Sequence, residues 1–199
     1  AGSDVDGAAQ LDKEQTPEAA SRAARLIWNR NRMGTRSGEI HKEALRNGDA
    51  YAIVWPDGAG RAVIYPNHAR GMAIFYADEE PGRVEWAAKC WPTADKLLRL
   101  NLFYPDRIEK YVSRVETTGS VSDASRFLPF KTNGEKATVT NPYGVVPVFH
   151  FANNADLGSL GRSELEPAFA IQDGLNKSVL DMLVAMEFAA FRQRWVAGI

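Results

Sequence analysis

The side chains best able to do chemistry are few and widely spaced. The three histidines, His41, His68 and His150, show no metal-ligand spacing, and no HExxH pair is present. The single cysteine, Cys90, excludes an intrachain disulfide and a multi-cysteine zinc site. It reads as a small buried hydrophobe in a strand. A nucleophilic pairing of Cys90 with His150 or His68 has no local signature behind it. His150 lies between Phe149 and Phe151 in a strand-like run, so it faces opposite to them and reads as a hydrogen-bonded structural histidine. Gly158-Ser159-Leu160-Gly161 precedes a helix and could seat an anion. It lacks the lysine and the spacing of a phosphate loop, and reads better as a turn into that helix. Asp173, Lys177 and Asp181 recur every four residues, the pattern of an exposed, ion-paired helix face. Asn176-Lys177-Ser178 has the form of a glycosylation sequon but lies inside that helix. Asp4 and Asp6 do not begin a calcium loop, because Ala9 and Gln15 stand where its Gly and Glu belong. No carboxylate pair has an acid–base context. The residues point to no catalytic site, no metal site and no cofactor.

The elements that would position these residues form an α+β order. Residues 1–16 carry four acids against one lysine and read as a flexible tail. Thr16-Pro17 starts a helix, with Ala19, Ala20, Ala23, Leu26 and Ile27 giving an apolar face through Trp28 and Gly34 ending it. Ser37 caps a second helix with Ile40, Ala44 and Leu45 inward, closed by Gly48. Strands follow at Asp49–Trp55, Arg61–Tyr65, Gly71–Tyr76, Arg83–Trp91, Leu97–Tyr104 and Arg107–Val115. Their connections are too short for crossover helices, so the pairing is an antiparallel meander sheet. Asn133-Gly134 marks a further tight turn. Val145–Phe151 is a last apolar strand, and Pro147 places it at an edge or puts the proline at its start. Ser163 and Glu166 form a capping box for one long helix that nothing stops before Ala197. At roughly 33 residues it would be about 50 Å long. Leu165, Phe169, Ile171, Leu175, Val179, Met182, Leu183 and Met186 make one broad apolar stripe. Leu180, Val184, Phe188, Phe191 and Trp195 run around a second side. A helix apolar on two sides either threads a core or packs against other chains. Its length favours other chains.

Composition bounds the function classes. The chain has 199 residues, 24 Lys+Arg, 25 Asp+Glu, 45% hydrophobic residues and a net charge of −1. This is long enough to bury a core without staples. Near-zero charge does not suit a generic DNA binder. Residues 17–46 are nonetheless basic, with seven Lys+Arg against three acids. Arg22, Arg25, Arg30, Arg32 and Arg36 could hold nucleic acid, which defines one alternative: a nucleic-acid-binding β-sheet module. The other reading is a solvated or subunit-facing surface, because no aromatic residues interleave with them. No apolar run approaches the ~20 residues that span a bilayer, and Ala1–Asp12 lacks the regions of a signal peptide.

Five phrases in order resemble one family: Gly48-Asp49-Ala50-Tyr51 after Ala44-Leu45; Phe103-Tyr104-Pro105-Asp106-Arg107-Ile108 with Tyr111; Asn141-Pro142-Tyr143-Gly144-Val145-Val146-Pro147-Val148 with Phe151-Ala152-Asn153; Gly161-Arg162-Ser163-Glu164-Leu165; and Gln172-Asp173-Gly174-Leu175-Asn176 with Asp181. Over about residues 20–199 the sequence resembles the portal proteins of tailed bacteriophages, siphophage type. The resemblance implies a non-enzymatic subunit of a ring, a dodecamer at one capsid vertex, assembled in the bacterial cytoplasm. Double-stranded DNA passes through such a ring without sequence specificity. Its implied partners are terminase, head–tail connector, capsid and scaffold proteins, with no membrane. Residues 17–160 would be a wing and residues 161–199 a stem helix, with clip, second stem helix and crown beyond Ile199. Leu175, Val179, Met182, Met186, Phe188, Phe191 and Trp195 would face neighbouring subunits. Asp173, Asp181 and Glu187 would line the channel, or else face neighbours or solvent.

Overall fold

The structure, a computed structural model, describes residues 17–80, 82–114, 124–131, 134–156, 160–190 and 197–198. The expected tail, residues 1–16, lies outside the described residues, as do Asn133 of the expected turn and Gly158-Ser159 of the glycine run. Two helices come first, α1 (Pro17–Arg30) and α2 (Met33–Asn47). Pro17 takes the first helical position, where its missing N–H costs nothing. The break between the helices is not at Gly34, and Ser37 is not a cap: both lie inside α2. The chain breaks at Asn31-Arg32 because Asn31 is held from outside. Its amide donates to the carbonyls of Ile27 (2.9 Å) and Ala62 (3.1 Å), and its Oδ1 accepts the Ile64 N–H (2.9 Å). Arg32 turns through left-handed backbone (φ 53°) at a cost of about 1–2 kcal/mol. Gly48 closes α2 as expected, with φ 89° and its N–H on the Ala44 carbonyl.

The strands are β1 (Asp49–Pro56), β2 (Ala62–His68), β3 (Met72–Tyr76), β4 (Val84–Pro92), β5 (Leu98–Phe103), β6 (Arg107–Ser113), β7 (Phe127–Pro129), β8 (Thr138–Thr140) and β9 (Val148–Ala152). All pairings are antiparallel, but the meander divides into two sheets. One is three-stranded, ordered β2-β1-β9; the other is six-stranded, ordered β3-β4-β5-β6-β7, with β8 also on β6. The division follows from β9, which returns from far along the chain to pair Asp49–Ile53 with Val148–Ala152. Pro147 immediately precedes β9, and β9 is an edge strand, so both expectations for that proline hold.

Strand β1 is buried on both faces, which is why DAYAI reads as an unbroken apolar run. Ala50 and Ala52 pack under Met33, Ile40 and Ala44 of α2. Tyr51 and Ile53 face the six-stranded sheet and meet Ile74, Ala87, Phe103 and Ile108, with Val146 and Val148 completing the cluster. Helix, small sheet and large sheet thus form three layers around β1. Ile40 and Ala44 are inward as expected, but Leu45 is 47% exposed and lines a groove with Leu165 instead. The described part of the long helix, α3, runs Glu166–Ala190, about 37 Å.

Candidate assembly site: the exposed helix and its anchor

No residue of α3 is buried. Leu175, Val179, Met182 and Met186 are 43–61% exposed and, at 100° per residue, fall within an arc of about 60°. Phe188 is 73% exposed on another side. Phe191 and Trp195 lie outside the described residues. Asp173, Asp181 and Glu187 are exposed and sit on the side roughly opposite the Leu175–Met186 stripe. Lys177 shares that side, yet no ion pair within 4.0 Å joins Asp173, Lys177 and Asp181. The expected ion-paired face is therefore an exposed charged face without pairs. The polar bonds on α3 are internal: Gln172 Nε2 donates to Asn176 Oδ1, and Ser178 Oγ to the Gly174 carbonyl. Burying each large apolar side chain is worth about 1.5–3 kcal/mol, so the bare sides of α3 leave that stabilisation unused within the described residues.

The base of α3 is fixed to the body by main chain. Gly48, ending α2, lies directly against Gly161, so a Cβ on Gly161 would come within 2.0 Å of the Gly48 carbonyl oxygen. Around them the Asn153 N–H donates to the Gly48 carbonyl (2.7 Å), the Arg162 N–H to Asn153 (2.7 Å) and the Glu164 N–H to Leu45 (2.9 Å). The Asn153 amide donates to the Arg162 carbonyl and to Glu164 Oε1, both at 2.9 Å. Ser163 Oγ donates to the Arg46 carbonyl and accepts the Leu165 N–H. The expected capping box is replaced by this turn, because Ser163 is drawn back onto the end of α2 and the helix begins at Glu166.

Asp49 and His150 lock the same junction from below. Asp49 Oδ1 accepts the Gly161 N–H (2.8 Å) and lies 2.7 Å from His150 Nε2. In the neutral imidazole whose Nε2–H donates to Asp49, Nδ1 is left to accept from Tyr76 OH at 2.8 Å. The imidazole also stacks on Tyr51 (4.8 Å, 9°). Burial, then the charge of Asp49 and the neighbouring Tyr76, push the Tyr51 phenol up to about 12. Burial and Asp49 raise the Tyr76 phenol too, keeping it a proton donor. His150 thus spends both ring nitrogens structurally, and His68 Nδ1 pairs with Glu43 (3.0 Å). Cys90 is half-buried in β4, and burial raises its thiol. Among the described residues no group of His, Cys, Asp or Glu could hold a metal, and no helix is long and apolar enough to cross a membrane.

Of the basic set, Arg22, Arg25, Arg30 and Arg32 are exposed. Arg36 is part of the frame instead, donating to the carbonyls of Ile64 (3.3 Å) and Asn31 (3.5 Å). The anchor residues Gly48-Asp49 and Tyr51, Asn153, and Gly161 through Ser163 all fall within the family phrases, although the sequence assigns none of them to a common junction. Their convergence at one junction is what those phrases encode. Residues 8–199 match the family of phage portal proteins, SPP1 Gp6-like. The chain belongs to that family. Comparison with curated proteins finds no match. As a portal protein it has a structural role in the phage, and its family is not an enzyme family. In those terms the anchor joins a folded portal body to a helix that the described residues leave exposed.

Proposed function

We propose that this portal subunit builds a ring through α3, twelve copies at one capsid vertex, with residues 17–160 as wing and residues 161–199 as stem. The ring is the conduit for double-stranded DNA during packaging and ejection, and terminase and then head–tail connectors dock on it. The observation that carries this reading is a helix exposed on every side, with an aliphatic and Met stripe on one side and Asp173, Asp181 and Glu187 on the other. The stripe packs on neighbouring subunits and the acids line the channel. Carboxylates repel the DNA backbone, so the wall guides DNA without the phosphate contacts that produce tight binding. The 199-residue chain is expected to self-associate in sedimentation velocity, and M182E/M186E to shift it to monomer with the body's melting temperature unchanged. A variant that associates as strongly as the parent removes α3 as the ring-packing element.

A second reading has its own observation: α1 has no buried residue and presents Arg22, Arg25 and Arg30 to solvent. If these hold nucleic acid, DNA binding will be salt-dependent and lost in R22Q/R25Q/R30Q.

A further inference from the structure

One face of the six-stranded sheet has two halves. Ile74, Ala87, Phe103 and Ile108 fill the core. Past them, toward the β4–β5 turn, the same face carries cations and rings. Lys89 pairs across with Asn101, which pairs with Lys110; Trp91 pairs with Arg99. The Arg99 guanidinium lies 3.4 Å over the Phe130 ring and 5.7 Å from Trp91, whose ring also takes Lys89 at 5.1 Å. The carboxylate of Glu135, on the loop before β8, reaches Lys110 (3.5 Å) and Arg99 (3.9 Å). Lys89 has no carboxylate within 4.0 Å among the described residues, and burial lowers its ammonium's pKa. Two fully buried polar atoms on these strands, the donor Arg99 Nε and the acceptor Asn101 Oδ1, have no hydrogen-bond partner among the described residues.

We propose that this end of the sheet is a docking surface for an acidic polypeptide segment, whose carboxylate takes the place that Glu135 occupies within the chain. Three features select this occupant. Three cations face one carboxylate, so the surface is short of negative charge. The chain's own Glu135 shows that Arg99 and Lys110 accept a carboxylate between them. Lys89 lies over the Trp91 ring and Arg99 over the Phe130 ring, so each ring gives a face to a cation of the chain before any base could stack there.

The test uses the 199-residue chain and a fluorescent oligo-glutamate peptide, read by anisotropy, with a short DNA duplex as the competing probe. The peptide should bind saturably and more weakly as salt rises. K89Q/K110Q should weaken it about tenfold, and E135Q, by removing the internal competitor, should tighten it about threefold. R22Q/R25Q should leave peptide binding unchanged. Glu135 is exposed and its substitution does not touch the core, so E135Q reports even if the double variant melts early. Peptide affinity that is indifferent to K89Q/K110Q, or that falls in E135Q, overturns the proposal. So does a duplex that binds through Lys89 and Lys110 while the peptide does not.

Discussion

The α+β body and helix α3 both carry many apolar residues and dispose of them in opposite ways. In the body, Tyr51, Ile53, Phe103 and Val148 are at most 6% exposed, and β1 is covered on both faces. In α3, ten large hydrophobic residues are 42–75% exposed. The body therefore holds its own folding free energy, while α3 rests on its internal hydrogen bonds and one anchor. Most helical stability in proteins comes from packing of an apolar face. The difference teaches that the described body leaves α3 unpacked, and that mutations should sort by region into those that unfold the body and those that leave it folded.

The sharpest way to break this division is at the anchor. Gly161→Ala drives a Cβ into the Gly48 carbonyl and the Asn153 nitrogen, main-chain atoms that cannot swing aside. We expect a loss of about 4 kcal/mol or more, seen as a large drop in melting temperature. Gly174→Ala within α3 meets nothing within 4 Å and should add about 1 kcal/mol of helix stability. Equal effects from the two substitutions would refute the anchor. Next in size is a matched pair of truncations. Phe103→Ala should cost the body about 3–5 kcal/mol in chemical unfolding. Phe188→Ala, 73% exposed, should change body stability by less than about 0.5 kcal/mol while weakening self-association.

A smaller effect is expected at the Asp49–His150 lock. Asp49→Asn replaces the acceptor shared by His150 and the Gly161 N–H, and should cost about 1–3 kcal/mol, read by thermal melting. The smallest effects are in pH. Burial pulls the Glu43 carboxyl up, but hydrogen bonds from His68, the Ala69 N–H and Asn47 outweigh it and hold it below its ordinary value of 4.5. A lowered carboxyl stabilises the fold above its unfolded-state pKa, and that contribution is lost as pH falls through the folded-state value. Glu43→Gln should therefore flatten the fall in melting temperature below pH 4.5. Tyr51 runs the other way. A phenol raised from 10.0 to about 12 gives stability present in full below 10 and lost as pH rises through the folded value. Tyr51→Phe should remove that alkaline slope and the latest-titrating phenolate absorbance.

Local signals carried much of this fold. Pro17 and Gly48 mark helix ends by rules acting within one turn, and the short connections dictate antiparallel pairing. Where the reading failed, a distant partner decided. Gly34 is a weak helix residue, but the break falls at Arg32 because Asn31 is tied to Ala62 and Ile64. Alternation identifies β9 as a strand but cannot say that it pairs with β1, across some 90 intervening residues, and so splits the meander in two. Ser163 and Glu166 have the spacing of a capping box, yet Ser163 finds the Arg46 carbonyl first. For the assembly site, the apolar circumference of α3 was legible as periodicity. The anchor was not, since the approach of Gly48 to Gly161 is a property of two segments more than a hundred residues apart.

That approach also has a mechanical side. No side chain stands between the two glycines to act as a cushion, so the base of α3 follows the end of α2 as one main chain follows another. A rod about 37 Å long, held at one end, moves its far tip by about 0.6 Å for each degree of tilt. A rocking of the body by ten degrees would sweep the tip about 6 Å sideways. In the proposed ring of such rods, small concerted rotations at the rim would become changes in the bore.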